Sequence, residues 1–191
     1  ATGASVNTLA DGFTATTVNQ TLTYASTSAH NDVYHELADP AGTLLCEYLF
    51  DIGAEGVPTQ FSLVGRVFSS NDTITISAWN YVTGAMVAVG DIKGINTAVD
   101  ALYTFPLFTS QVGTGVNLGR VRIQLSGTGL SSSVTYVDQC FVSYAIAARS
   151  VGYEGGAVWI DTVNGTTGTT SWINGTADRP CKTLANATTI A

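Results

Sequence analysis

The stretch Leu44-Leu45-Cys46-Glu47-Tyr48-Leu49-Phe50-Asp51-Ile52 decides the fold. Leu44, Cys46, Tyr48, Phe50 and Ile52 fall on one side of a period-two pattern, and Leu45, Glu47, Leu49 and Asp51 on the other, the signature of a half-buried strand. Downstream the alternation returns: Ile74, Ile76 and Ala78 oppose Thr73, Thr75, Ser77 and Trp79. The turn signal Ser70-Asn71-Asp72 before them predicts a hairpin with the run Phe61 to Phe68. Met86 to Ile92 follows the turn Val82-Thr83-Gly84, and Leu102 to Phe108 contains Pro106, which in a sheet suits an edge or a bulge. Val121, Ile123 and Leu125 then alternate with Arg120, Arg122 and Gln124. Gly127-Thr128-Gly129 turns that segment into the long run Ser133 to Ala147, expected as its pairing partner.

About seven strands at short, regular spacing, with glycine-rich turns between them, describe an all-β fold, an antiparallel sandwich or jelly roll. Its core should bury Ile74, Ile76, Val121, Ile123, Leu125, Val134 and Val142, with Arg120, Arg122 and Gln124 facing out. Composition agrees. The chain has 28 Thr, 15 Ser and 20 Gly against four Glu and two Lys, so β-branched residues prevail over surface helix formers. With 45% hydrophobic and 11% charged residues it is foldable rather than disordered. A net charge of −7 without a basic stripe excludes a nucleic-acid binder. No apolar run is long enough to span a bilayer, and the start ATGASVNTLADGF lacks the charged and apolar regions of a signal peptide, so the chain reads as soluble.

At 191 residues one domain plus appendages is expected. Residues 1–30 read as an N-terminal arm, 31–149 as the sandwich, and 150–191 as an extension. The extension holds a short strand from Ala157 to Asp161, turns at Asn164-Gly165 and Asn174-Gly175, and a short helix near Lys182 to Ala187 begun by Asp178 and Pro180. Neither end buries much by itself, so each needs a partner surface to become ordered.

Chemistry is sparse. No nucleophile elbow, phosphate loop, HExxH helix or triad is present, so neither an enzyme nor a cofactor is expected. His30-Asn31-Asp32 with His35-Glu36 offers metal-ligand types, but strand or helix geometry separates the two imidazoles, and a solvated turn ahead of the first core strand is the expectation. Asp138 interrupts the apolar run Tyr136 to Val142, where a lone carboxylate is costly to bury. A bulge or hydrogen-bonded turn offsets that cost, or a calcium ion shared with Asp51. Trp79 and Tyr81, on the face opposite Ile74 and Ile76, are candidate glycan-stacking residues, the alternative being packing on a second layer or a neighbouring subunit. Cys46 and Cys140 either form a bridge or remain two buried free thiols. Five of ten asparagines sit in Asn-x-Ser/Thr, which the Ser and Thr content explains.

The stretch Gly155-Gly156-Ala157-Val158-Trp159-Ile160-Asp161, with Asn174, Gly175, Thr176, Pro180, Lys182, Thr183 and Leu184, resembles the opening segment of pectate-lyase-like right-handed β-helices. Arg179 stands where that pattern carries Asn. A Gly/Thr-rich sandwich leading into such a segment resembles structural proteins of tailed bacteriophages: fibres, tailspikes and head-fibre or capsid-decoration proteins. The resemblance implies a non-enzymatic virion protein, a homotrimer contacting other virion proteins and a host-surface glycan, with Trp159 and Trp172 as assembly contacts. The competing expectation is a secreted, extracellular carbohydrate-binding module of a polysaccharide-degrading enzyme.

Overall fold

A computed structural model describes residues 5–39, 41–54, 56–68, 72–94, 98–130, 134–146, 158–169, 174–176 and 179–190. The chain divides into two compact units, Thr2–Ile146 and Ala147–Ala191.

The first unit is an all-β antiparallel sandwich. Its strands are β1 (Ser5–Leu9), β2 (Gly12–Ala15), β3 (Asn19–Thr21), β4 (His35–Ala38), β5 (Thr43–Asp51), β6 (Gly56–Phe68), β7 (Thr73–Asn80), β8 (Ala85–Lys93), β9 (Ala101–Pro106), β10 (Arg120–Thr128) and β11 (Val134–Ile146). One sheet runs β3-β4-β11-β6-β9, with β1 also pairing β11; the other runs β2-β5-β10-β7-β8. Tyr48, Phe50, Ile123 and Leu125 from the second sheet and Phe61, Leu63, Val137 and Val142 from the first are fully buried in one core. Alternation does the sorting: Leu44, Cys46, Tyr48 and Phe50 face inward while Glu47 and Leu49 stay half-buried on the outer face. Pro106 ends β9 at a sheet edge, where its missing amide leaves no ladder bond unmade.

Two expected pairings are corrected. β6 pairs β9 and β11, whereas β7 pairs β8 and β10, so the segments on either side of residues 69–72 belong to different sheets. β10 and β11 likewise lie in opposite sheets. Period two specifies which face is buried but not which neighbour supplies the hydrogen bonds, and both connections cross the sandwich.

The N-terminal residues enter both sheets. β2 adds to β5 from Gly12↔Leu49 to Ala15↔Cys46. The edge of β11 is shared along its length: β4 pairs residues 134–137, Ser28 bridges Gln139, and β1 pairs residues 141–145. These weakly apolar segments are ordered by backbone groups that neighbouring strands leave open.

At Asp138 the β11–β6 register slips, passing from Val137↔Gly65 to Gln139↔Val64. The bulge shifts the phase of alternation, so Thr135 and Val137 are buried before it and Cys140 and Val142 after it, with Asp138 itself buried at the slip. Val134, expected in the core, is therefore half-buried. Cys46 and Cys140, on opposite sheets, are both buried and unlinked, and burial pushes the Cys140 thiol up to about 12.

In the second unit Cys181 makes parallel bridges to Ile160 and Thr166, and it is buried with Ala187 against Val158. The helix α1 (Leu184–Ile190) begins later than Asp178 and Pro180 suggest. Thr183 caps it, its hydroxyl accepting the Asn186 amide at 3.1 Å. Trp159 is 47% exposed. Trp172 and Asp178 lie outside the described residues.

Candidate functional site

The outer face of the five-stranded sheet presents Trp79 from β7, Glu47 from β5 and Arg120, Arg122 and Gln124 from β10, because alternate residues of these strands are spent on the core. Arg122 organises the face. Its Nε and Nη2 donate to Glu47 Oε2 at 3.1 and 2.8 Å, and Gln124 Nε2 donates to Glu47 Oε1 at 3.3 Å. The guanidinium lies over the Trp79 ring, 4.5 Å from its centroid. The expected bare aromatic platform is thus a Trp–Arg stack, with one indole face already covered.

Tyr81 follows β7 at the start of a tight turn. Asn80 Oδ1 accepts the amides of Val82 and Thr83 at 2.9 and 3.0 Å, and the Tyr81 amide donates to the Ser110 carbonyl at 2.8 Å. Tyr81 lines a recess of about 590 Å³ together with Arg120, Arg122, Glu47, Asp11 and Asn117. Its hydroxyl is buried without a hydrogen-bond partner. Burial raises the phenol's pKa, with Arg122 and Arg120 opposing. Arg120 pairs with Asp11 across the cavity and reaches Asp51 at 3.8 Å. The result is a polar recess with paired planar donors and acceptors and an aromatic wall.

Asp138 is satisfied from an unexpected direction. Its carboxylate pairs with the His30 imidazole and accepts the Asn31 amide at 3.1 Å. Asp51, the expected calcium co-donor, sits on β5 of the other sheet and pairs elsewhere. Among the described residues, His30, Asp100 and Asp138 form the one cluster of metal-ligand types. Asp100 is already engaged, accepting from Arg66 Nη1 at 2.5 Å and from the Tyr34 hydroxyl at 2.9 Å. Arg66 in turn lies over the rings of both Tyr34 and Tyr136, 4.5 and 4.6 Å from their centroids. His30 thus pairs with one of the two carboxylates and Arg66 with the other.

His35 corrects the expectation of a solvated turn. It belongs to β4 and is fully buried. Gln20 Oε1, an acceptor 2.9 Å away, requires the proton on Nε2, and Nδ1 then accepts from the Tyr48 hydroxyl at 2.8 Å. Burial lowers its pKa from 6.5 to about 4. In this range the unfolded chain takes up a proton that the folded chain refuses, so the stability present above pH 6.5 is lost as pH falls toward about 4. Thermal melts between pH 7 and 4.5 should show this decline, and His35→Gln should flatten it.

No protein-family model and no curated protein matches the chain. Among solved structures, the chain is similar to several carbohydrate-binding modules. A family 61 module in complex with β-1,4-galactotriose aligns at 11% identity and a TM-score of 0.46, over 69% of this chain and 88% of that one. A variant of a family 29 module aligns at 7% and 0.48, over 73% and 92%. The family 29 module CBM29_1 from Piromyces equi aligns at 10% and 0.47, over 73% and 90%. The expectation of a bacteriophage virion protein is corrected here: the similar structures named above are carbohydrate-binding modules, and none of them is a virion protein. The fibre, tailspike and capsid-decoration readings rested on the resemblance of residues 155–191 and are withdrawn, together with the homotrimer and virion partners drawn from it. Among the described residues no helix is long and apolar enough to cross a membrane.

Proposed function

We propose that this sandwich is a non-catalytic carbohydrate-binding domain that takes a glycan on the outer face of its five-stranded sheet. The recess at Tyr81 carries the reading, because the paired planar side chains of Arg122 and Glu47 converge there with Asn117 beside an aromatic ring. Sugar hydroxyls both donate and accept, and paired planar side chains such as Arg122 and Glu47 address two adjacent hydroxyls at once. Trp79 supplies the apolar surface that a pyranose face needs, with Arg122 fixing the indole from one side. A domain of this kind works where polysaccharide is met, outside the cell.

Calorimetry and affinity electrophoresis against a panel of soluble β-glucans, mannans, galactans and uronate-containing polysaccharides test the reading. One of these classes should bind. Arg122→Ala should weaken binding at least about tenfold, the worth of a charge-assisted hydrogen bond, and Tyr81→Ala, which removes the aromatic wall, by a few-fold. A panel without binding, or binding that neither variant alters, overturns it.

A further inference from the structure

Three segments far apart in the sequence deliver metal-ligand side chains to one point on the six-stranded sheet. At the bulge of β11 the buried Asp138 carboxylate meets the loop at residues 28–34. The loop is pinned beside it: Ser28 bridges Gln139, and the Asn31 amide donates to Asp138 Oδ1 at 3.1 Å. This sets His30 Nδ1 against Asp138 Oδ2. Asp100, the residue before β9, completes the set from a third segment.

One ligand atom from each of His30, Asp100 and Asp138 lies within 4.8 Å of the other two. Zinc holds nitrogen and oxygen ligands at about 2.0–2.2 Å, so two ligand atoms of one ion stand up to about 4 Å apart. The His30 side chain, 60% exposed, is free to close the difference, while Asp138 is fixed by burial. Both carboxylates also carry the outer hydrogen bonds that orient metal-binding carboxylates. Asp138 Oδ1 takes the Asn31 amide and leaves Oδ2 for an ion. Asp100 accepts from Arg66 through Oδ1 and from the Tyr34 hydroxyl through Oδ2, which keeps a second lone pair. Charge points the same way. Arg66 offsets Asp100, but the charges that bear on His30 are those of Asp138, Asp32 and Asp100, all negative. With the imidazole neutral, as a metal ligand must be, one guanidinium stands against three carboxylates, and a dication restores the balance.

We propose that His30, Asp100 and Asp138 bind a divalent transition metal, zinc by its chemistry, which clamps the loop at residues 28–34 onto β11. One imidazole and two carboxylates, with no thiolate among them, suit zinc or cobalt, and the imidazole disfavours calcium and magnesium. Three protein ligands leave a fourth tetrahedral position for water, reached from the exposed His30 side. The site belongs to the sheet that does not carry the proposed glycan recess, and it stands whether or not that recess binds sugar.

The test uses the whole chain, stripped with EDTA, freed of chelator, and titrated with ZnCl2 in calorimetry and thermal melts. One equivalent of zinc should bind, with a Tm that climbs with the logarithm of free zinc, and CaCl2 at the same concentrations should leave the Tm unchanged. In the stripped chain the proton on His30 takes the ion's place against Asp138. His30→Ala, which removes an exposed side chain, should weaken zinc binding at least tenfold without lowering the Tm of the stripped protein by more than a few degrees. Asp100→Asn should weaken it by at least as much. CoCl2 gives a second readout: the wild type should develop the visible absorption of a four-coordinate cobalt site, and His30→Ala should not. Should Asp100→Asn fail to fold, the wild type and His30→Ala still decide. A Tm and a heat signal indifferent to submillimolar ZnCl2 overturn the proposal. So does zinc binding that His30→Ala leaves intact, which places the ion elsewhere, and so does a response to calcium equal to that of zinc, which removes the imidazole from the ligand set.

Discussion

Phe61→Ala should cost about 3–5 kcal/mol, the range for truncating a buried phenylalanine that its surroundings cannot refill. Phe61 is fully buried on β6 and stacks on Phe105 of the neighbouring β9, with centroids 6.1 Å apart and planes at 21°. It also meets Phe50, from β5 of the opposite sheet, edge to face at 5.9 Å. The ring therefore joins the two layers rather than filling one of them. Its neighbours are held by ladders on both sides, from Gln60↔Pro106 to Gly65↔Ala101 and from Val142↔Phe61 to Cys140↔Leu63, so collapse into the cavity is resisted. Urea unfolding should show a lowered midpoint with an unchanged slope. Leu102→Ala, on the same sheet but 61% exposed, should stay within about 0.5 kcal/mol. Equal costs for the two would mean that Phe61 does not join the layers.

What the sequence discloses, and what it hides, follows from the physics of strands. Burial is a local property of alternation. Leu44 to Phe50 and Val121 to Leu125 therefore lie where the period places them, as do Ile74, Ile76 and Ala78, whereas Ser77, expected to face out, is buried where the β7–β8 register slips. Pairing is a property of the whole sandwich. The connections at residues 69–72 and between Thr128 and Val134 look like hairpin turns, yet each carries the chain to the other sheet. The three N-terminal strands were illegible for a related reason. Their hydrogen bonds go to β11, β4 and β5, and a segment such as Asn19–Thr21 becomes a strand only because Glu36 to Ala38 lie beside it.

The candidate site divides the same way. The outward positions of Trp79 and Arg122 are written in the alternation of β7 and β10, but the guanidinium over the indole depends on the β10–β7 register, which no local pattern encodes. Tyr81 was visible as an aromatic and invisible as an unpartnered hydroxyl. Asp138 gave a real signal, a carboxylate in an apolar run that something had to offset. Its partner His30 lies 108 residues away in a stretch that reads as a solvated turn.

Gly65→Ala should cost about 3 kcal/mol, at the top of the range for overpacking, through backbone rather than side-chain collision. Gly65 pairs with Val137 at the point where the β11 register slips past Asp138. A Cβ there would stand 2.0 Å from the Tyr136 carbonyl oxygen and 3.2 Å from the Val137 Cα, atoms of a strand held on both edges. Alanine must therefore push β6 and β11 apart at the bulge, and the bulge is what presents the Asp138 carboxylate to His30 and Asn31. That gives the substitution a second, independent readout. Asp138, by hydrogen bond and then by charge, raises the His30 pKa above its usual 6.5. A raised histidine pKa contributes stability that is complete below pH 6.5 and lost as pH climbs through the folded value. In Gly65→Ala the His30 titration, followed by NMR, should return toward 6.5 and that pH dependence should fade. Asp138→Asn should shift His30 in the same direction without wedging the strands apart, so it separates the loss of the ion pair from the loss of the ladder. A Gly65→Ala protein that keeps both its midpoint and a raised His30 pKa would show that the two strands do not approach closely at this bulge.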